Sequence, residues 1–161
     1  MVNLGFLLLF FRLFISQIMK IAVINGPNLN RLGRRDPEQY GRAAEKDILD
    51  MLRKEFPTVG FEHFQSNSEG EIIDRIQQID DDGIDGLIIN PGAYSHYSYA
   101  IADALLDCHG HFPIAEVHLS QIFNRDAHRH RSVTAPHADV LIAGAGAKGY
   151  LLAASYIIGI A

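Results

Sequence analysis

The sequence predicts a doubly wound α/β sandwich, a parallel sheet covered by helices on both faces. Three observations carry this. Five short apolar runs recur along the chain, helical patterns alternate with them, and polar residues collect where the runs end. Parallel strands cannot be joined by tight turns and need a crossover, which a helix supplies.

Residues 21–24 (Ile21-Ala22-Val23-Ile24) show no polar alternation, as expected of a strand buried on both faces. The run stops at Asn25-Gly26-Pro27-Asn28, a turn signal. Ile48, Leu49, Leu52 and Phe56 then recur at helical spacing, and Pro57 ends that helix. Residues 59–64 alternate loosely as a second strand. Ile72, Ile73, Ile76 and Ile79 mark one face of a second helix, closed by Asp80-Asp81-Asp82-Gly83. A third strand covers residues 86–89, followed by a loop and a helix around residues 101–106. Residues 114–119 form the fourth strand, 140–143 the fifth, and 150–158 the last helix. No repeat, low-complexity tract or linker interrupts the pattern, so residues 19–161 read as one domain.

Composition narrows the class. The 161 residues are 48% apolar and 20% charged, which excludes collagen-like and disordered chains. Residues 1–18 stand apart: 13 of them are apolar, and Arg12 is their only charge. The uncharged stretch before Arg12 is too short to span a bilayer, and no basic residue precedes it as in a secretory signal. The expectation is an extension foreign to the fold, from an upstream start codon, with a weak targeting segment as the alternative. The net charge is −5, and −6 without Arg12. An acidic domain is a poor partner for nucleic acid or an anionic membrane, since both demand clustered cations. The single cysteine, Cys108, allows no internal disulfide and no thiolate zinc site, which fits a reducing cytoplasm.

In such sheets the ligand lies outside the carboxyl ends of the strands. Asn25 and Asn28 follow the first strand, Ser66 and Asn67 the second, Asn90 the third, and His118 and Ser120 the fourth. Gly144-Ala145-Gly146-Ala147-Lys148-Gly149 matches a dinucleotide fingerprint in form only. It follows the last strand, and too few residues remain for the acidic ribose partner, so close helix–strand packing is the expected use. His109/His111 and His128/His130 lack metal-ligand spacing, and Arg129 and Arg131 would repel a cation beside the second pair. His63 and His137 carry no signal beyond packing or surface roles.

Two fragments suit proton transfer. Glu116 and His118 sit two apart on the fourth strand, so both point to one side and the carboxylate can orient the imidazole. A satisfied core histidine is the alternative. Tyr40 follows Arg34-Arg35 in a cationic loop flanked by Gly33 and Gly41, a spacing consistent with a hinged lid. A free phenol has a pKa of ~10, and a guanidinium in a desolvated site can depress it by a few units. Tyr40 is thus either a general base or a surface residue.

Several motifs occur in order: Gly26-Pro27-Asn28-Leu29-Asn30 with Arg35, Pro37, Tyr40 and Gly41; Phe64-Gln65-Ser66-Asn67 with Glu69-Gly70; Ile89-Asn90-Pro91-Gly92-Ala93-Tyr94-Ser95-His96; and Glu116-Val117-His118-Leu119-Ser120. From about residue 19 to 161 the chain closely resembles type II 3-dehydroquinate dehydratase. The resemblance implies a flavodoxin-like three-layer sandwich with a five-stranded parallel sheet, no cofactor or metal, and trimers packed into a homododecamer. It implies dehydration of 3-dehydroquinate in the shikimate pathway. Tyr40, ionised beside Arg35, would accept the proton. Asn28 would hold a water at the enolate, and His118, oriented by Glu116, would donate a proton to the departing hydroxyl. Asn90, Leu119 and Ser120 would bind the substrate carboxylate, and His96 and Arg129 the ring hydroxyls, with Arg131 an alternative to Arg129. Asp103 would reach a neighbouring subunit's site, or else be a solvated helix acid. Ala102, Asp36, Gln121 and His128 depart from the family pattern without touching Arg35, Tyr40, Asn28 or His118. A different class, a flavodoxin-like module that binds a small anion or nucleotide without turnover, would betray itself by colour or by a bound nucleotide.

Overall fold

The computed structural model describes residues 18–34 and 43–160. Five strands, β1 (Lys20–Asn25), β2 (Gly60–Gln65), β3 (Gly86–Asn90), β4 (Ile114–His118) and β5 (Val140–Ala143), form one sheet. Four α-helices, α1 (Glu45–Glu55), α2 (Glu69–Gln77), α3 (Tyr99–Cys108) and α4 (Lys148–Ile160), cover it. The order is β2-β1-β3-β4-β5 and every pairing is parallel, which is the flavodoxin-like arrangement.

The burial of each strand follows its place in the sheet. β3 and β4 are buried at every residue and β1 at all but Lys20, whereas β2 and β5, at the edges, are only partly covered. Successive residues of a strand face opposite sides. Ile21, Val23, Ile88 and Val117 therefore pack with Ile48 and Leu52 of α1 and Ala153 and Ile157 of α4. Ala22, Ile24, Leu87 and Ile89 pack with Ile72 and Ile76 of α2 and Ile101 and Leu105 of α3. Two cores result, one on each face.

Two elements end earlier than their apolar pattern. α2 stops at Gln77, and Ile79 lies in the following turn, yet it stays fully buried in the same core. Apolar spacing reports which residues meet the core, not whether the backbone still closes helical hydrogen bonds. Likewise β4 stops at His118. Leu119 remains buried, but its carbonyl accepts from the Gly146 N–H at 3.0 Å, in the loop after β5.

The glycine-rich loop serves packing. A Cβ on Gly149 would stand 3.1 Å from Val117 Cγ1, so the glycine lets α4 close on β4. At the other end of the site Gly26 has a similar duty. Its N–H donates to the Asn90 carbonyl at 2.8 Å, and a Cβ there would fall 2.5 Å from the Pro91 carbonyl oxygen. This close approach joins the ends of β1 and β3, where the chain's direction of travel across the sheet reverses. Gly26→Ala must separate two backbones, so about 3 kcal/mol of destabilisation is expected, a fall in thermal midpoint of roughly 10 °C by calorimetry.

Candidate active site

A cavity of ≈ 120 Å³ opens outside the carboxyl ends of β1, β3 and β4. Asn28, Asn90, His96, His118, Ser120 and Arg129 stand in its wall. Leu119 lines it too, as does Arg125, which the sequence did not single out.

Asn28 has φ 68°, the one left-handed non-glycine among the described residues. Asparagine tolerates this region better than other side chains, but it still needs support. Asn67 Oδ1 accepts from the Asn28 N–H at 2.8 Å and from Gln65 Nε2 at 3.3 Å. The Asn67 carbonyl in turn accepts from the Tyr94 hydroxyl at 2.9 Å.

His118 and Glu116 do point to one side of β4, with His118 Nε2 2.7 Å from Glu116 Oε1. Glu116 is 0% exposed, so its carboxylate depends on donors from the protein. The Thr134 hydroxyl donates to Oε2 at 2.6 Å, and the Ser132 hydroxyl lies 3.1 Å from Oε1. A carboxylate can only accept, so it fixes the Nε2–H tautomer and leaves Nδ1 as the nitrogen that exchanges a proton.

His96 lies nearly parallel to His118, with centroids 6.2 Å apart and planes at 17°. Its Nδ1 donates to the Arg131 carbonyl at 2.8 Å, so the neutral ring offers Nε2 as an acceptor. Burial pushes its pKa below the usual histidine value, assisted by the charges of His118, Arg129 and His128 and opposed by the Arg131 carbonyl. The geometry also separates two arginines. Arg129 is half-buried in the cavity wall, and its Nε is buried without a hydrogen-bond partner among the described residues. Arg131 is exposed and donates to the Tyr99 hydroxyl at 3.1 Å.

Not every polar strand end faces the cavity. Ser66 accepts from the Ser68 N–H and donates to Glu71, and Asn25 turns into a buried network described below. His63, which carried no signal, belongs to that network: its Nε2 lies 2.8 Å from Glu45 Oε1. Asp103 is exposed on α3, outside the cavity wall of its own chain. Tyr40 and Arg35 lie outside the described residues. Among the described residues no group of three or more His, Cys, Asp or Glu could hold a metal ion. His109 faces Asp139 and His111 faces Asp80, so the first histidine pair diverges.

The profile of the family "Dehydroquinase class II" matches residues 19–158. The chain belongs to the class II dehydroquinase family. Its relatives include the 3-dehydroquinate dehydratase of Thermotoga petrophila, 51% identical over 143 residues, which span 86% of this chain and 94% of the relative. The 3-dehydroquinate dehydratase of Lachnoclostridium phytofermentans is 51% identical over 142 residues, 87% of this chain and 97% of the relative. The crystal structure of type II dehydroquinase from Butyrivibrio crossotus superposes with a TM-score of 0.84 at 46% identity, covering 87% of this chain and 97% of that one.

Two carboxylates of this dehydroquinase yield measurable expectations. Thr134→Val keeps the shape but deprives the buried Glu116 carboxylate of a donor. It should cost about 1.5–3 kcal/mol in urea unfolding, and unchanged stability would show that the bond contributes nothing. Glu45 is a second case. Burial alone would raise its pKa, but hydrogen bonds from His63 and Asn25, together with the His63 charge, outweigh that and hold it below the usual 4.5. A depressed carboxylate contributes stability that is full above its unfolded pKa and is lost as pH falls through the folded value. Glu45→Gln should therefore melt lower than the parent at roughly neutral pH, and the two midpoints should converge in acid, below the folded pKa.

Proposed function

We propose that this chain, as a class II dehydroquinase, converts 3-dehydroquinate to 3-dehydroshikimate with Tyr40 as the base and His118 as the acid. The observation that carries this reading is that His118, paired with Glu116, shares the wall of one small cavity with Asn28, Asn90 and Arg129. The reaction is a hydro-lyase step of the shikimate pathway.

The proton to be removed lies alpha to a ketone, and the hydroxyl to be expelled lies beta to it. Tyr40, held as phenolate by Arg35, takes the proton, and the electron pair moves onto the carbonyl oxygen as an enolate. Negative charge developing there is met by a water that Asn28 holds, as donors in an oxyanion hole meet theirs. Collapse of the enolate breaks the carbon–oxygen bond, and His118 donates its Nδ1 proton so that water leaves. Proton return from Tyr40 to His118 closes the cycle. Asn90, Leu119 and Ser120 bind the substrate carboxylate, and His96 and Arg129 bind ring hydroxyls. An imine route lacks its amine, since none of Lys20, Lys46, Lys54 and Lys148 lines the cavity.

The same reading makes the enzyme cytoplasmic and assembles trimers into a dodecamer, with Asp103 entering a neighbour's site. The exposure of Asp103 on its own chain, and of Tyr99 and Leu106 on the same helix, supports that assembly. No helix among the described residues is long and apolar enough to cross a membrane. Residues 1–18 fall outside this catalytic unit, in keeping with a family match that starts at residue 19.

Adding 3-dehydroquinate to the purified enzyme should produce the absorbance of a conjugated enone. Tyr40→Phe and His118→Ala should each lower kcat by about 10²–10⁴ while calorimetry still detects substrate binding. Near-normal turnover in either variant would overturn the assigned roles.

A further inference from the structure

A chain of polar groups runs from behind the cavity to Asn90 through residues to which the reaction assigns no role. Asn25, Asn90 and Tyr150 are each at most 2% exposed. The Tyr150 hydroxyl donates to Asn25 Oδ1 at 2.6 Å and accepts from Asn90 Nδ2 at 3.2 Å. Asn25 Nδ2 donates to Glu45 Oε1 at 2.9 Å, where His63 Nε2 also converges. Asn90 completes its set by accepting the Gly92 N–H on Oδ1 at 3.1 Å.

The direction of each bond follows from one end. An ionised carboxylate only accepts, so Glu45 must face the amino group of Asn25. That leaves Asn25 Oδ1 toward Tyr150, whose single hydroxyl proton goes to it. Tyr150 can then only accept from its other neighbour, which must present an amino group. Asn90 is thereby held with Nδ2 toward Tyr150, the orientation that the Gly92 N–H on its Oδ1 also demands, and its second N–H is left over for the cavity that it lines. Burial pushes the Tyr150 pKa upward, so the hydroxyl keeps its proton. Reversing the Asn90 amide would set its Oδ1 against an anionic ligand and against a hydroxyl whose proton is already committed.

We propose that Tyr150 and Asn25 are positioning residues that, from Glu45 and together with the Gly92 N–H, hold the Asn90 amide in the orientation that offers an N–H to the substrate carboxylate. This rests on the proposed carboxylate role of Asn90. The chain thus acts on anion binding, through Asn90, and not on the proton transfers at Tyr40 and His118.

A double-mutant cycle read in steady-state kinetics with 3-dehydroquinate tests it. Tyr150→Phe should raise KM about tenfold and change kcat less than about threefold, and it should add nothing further to KM in an Asn90→Ala background. Asn25→Ala, which frees the Tyr150 hydroxyl to turn toward Asn90 Oδ1, should repeat the KM effect. An unchanged KM in a folded Tyr150→Phe enzyme, with KM raised by Asn90→Ala, would overturn the positioning role alone. An unchanged KM in Asn90→Ala would overturn the carboxylate role and the positioning role with it. Additive effects across the cycle would show that Tyr150 acts as general packing and would likewise overturn the proposal. Should neither variant fold, neutron diffraction from the unaltered enzyme decides by the Tyr150 hydroxyl deuterium: directed at Asn25 Oδ1 it supports the proposal, and directed toward Asn90 it overturns it.

Discussion

The site is organised around a carboxylate that water does not reach. Glu116 sits on a central strand with no exposed surface, and an ionised group in that position must be met by donors from the chain. His118 meets it from the same strand. Ser132 and Thr134 meet it from the segment that returns after β4, and this requirement pins that segment down. The Val133 N–H then donates to the Ser95 carbonyl at 2.7 Å, which ties the returning segment to the turn carrying His96. Arg125 and Arg129 ride on the same stretch of chain and so inherit their places in the cavity wall. One buried carboxyl group thus orients His118, seats the two arginines and fixes the His96 ring beside it.

The fold was legible because the sheet turns position into composition. Strands at the centre are covered on both faces, so Ile21 to Ile24 and Leu87 to Ile89 carry no polar alternation, while the edge strand β2 carries Glu62 and His63. Limits were less legible, as Ile79 and Leu119 show. Both are buried beyond the last residue of their element, and hydrophobicity alone cannot register that difference.

The site was legible wherever its geometry is local. Glu116 and His118 are two residues apart on one strand, so parity alone brings them together. Asn28, Asn90 and Ser120 follow from the rule that ligands gather at strand ends. What escaped notice depends on pairs distant in sequence: Thr134 with Glu116, His63 with Glu45, and Tyr150 with Asn25, the last 125 residues apart. Nothing near Tyr150 marks it as more than a core aromatic. The topology that lays α4 over β3 and β4, and so brings its hydroxyl between Asn25 and Asn90, is what gives that hydroxyl a task. Arg125 is a milder case, since a basic residue in a polar stretch declares no direction until the loop is folded.

The position of α4 also bears on how the molecule is made. Synthesis runs from the N-terminus, and every residue in the cavity wall precedes Lys148 in the chain. Before the last helix is present, Ile21, Val23, Ile88 and Val117 have lost much of the cover on one face, and no hydroxyl stands between Asn25 and Asn90. A nascent chain can therefore hold its full set of wall residues and still have that face of the sheet covered by α1 alone. The thirteen-residue helix α4 completes that face and inserts the hydroxyl, so maturation of the site waits on an element made after every described residue of the cavity wall.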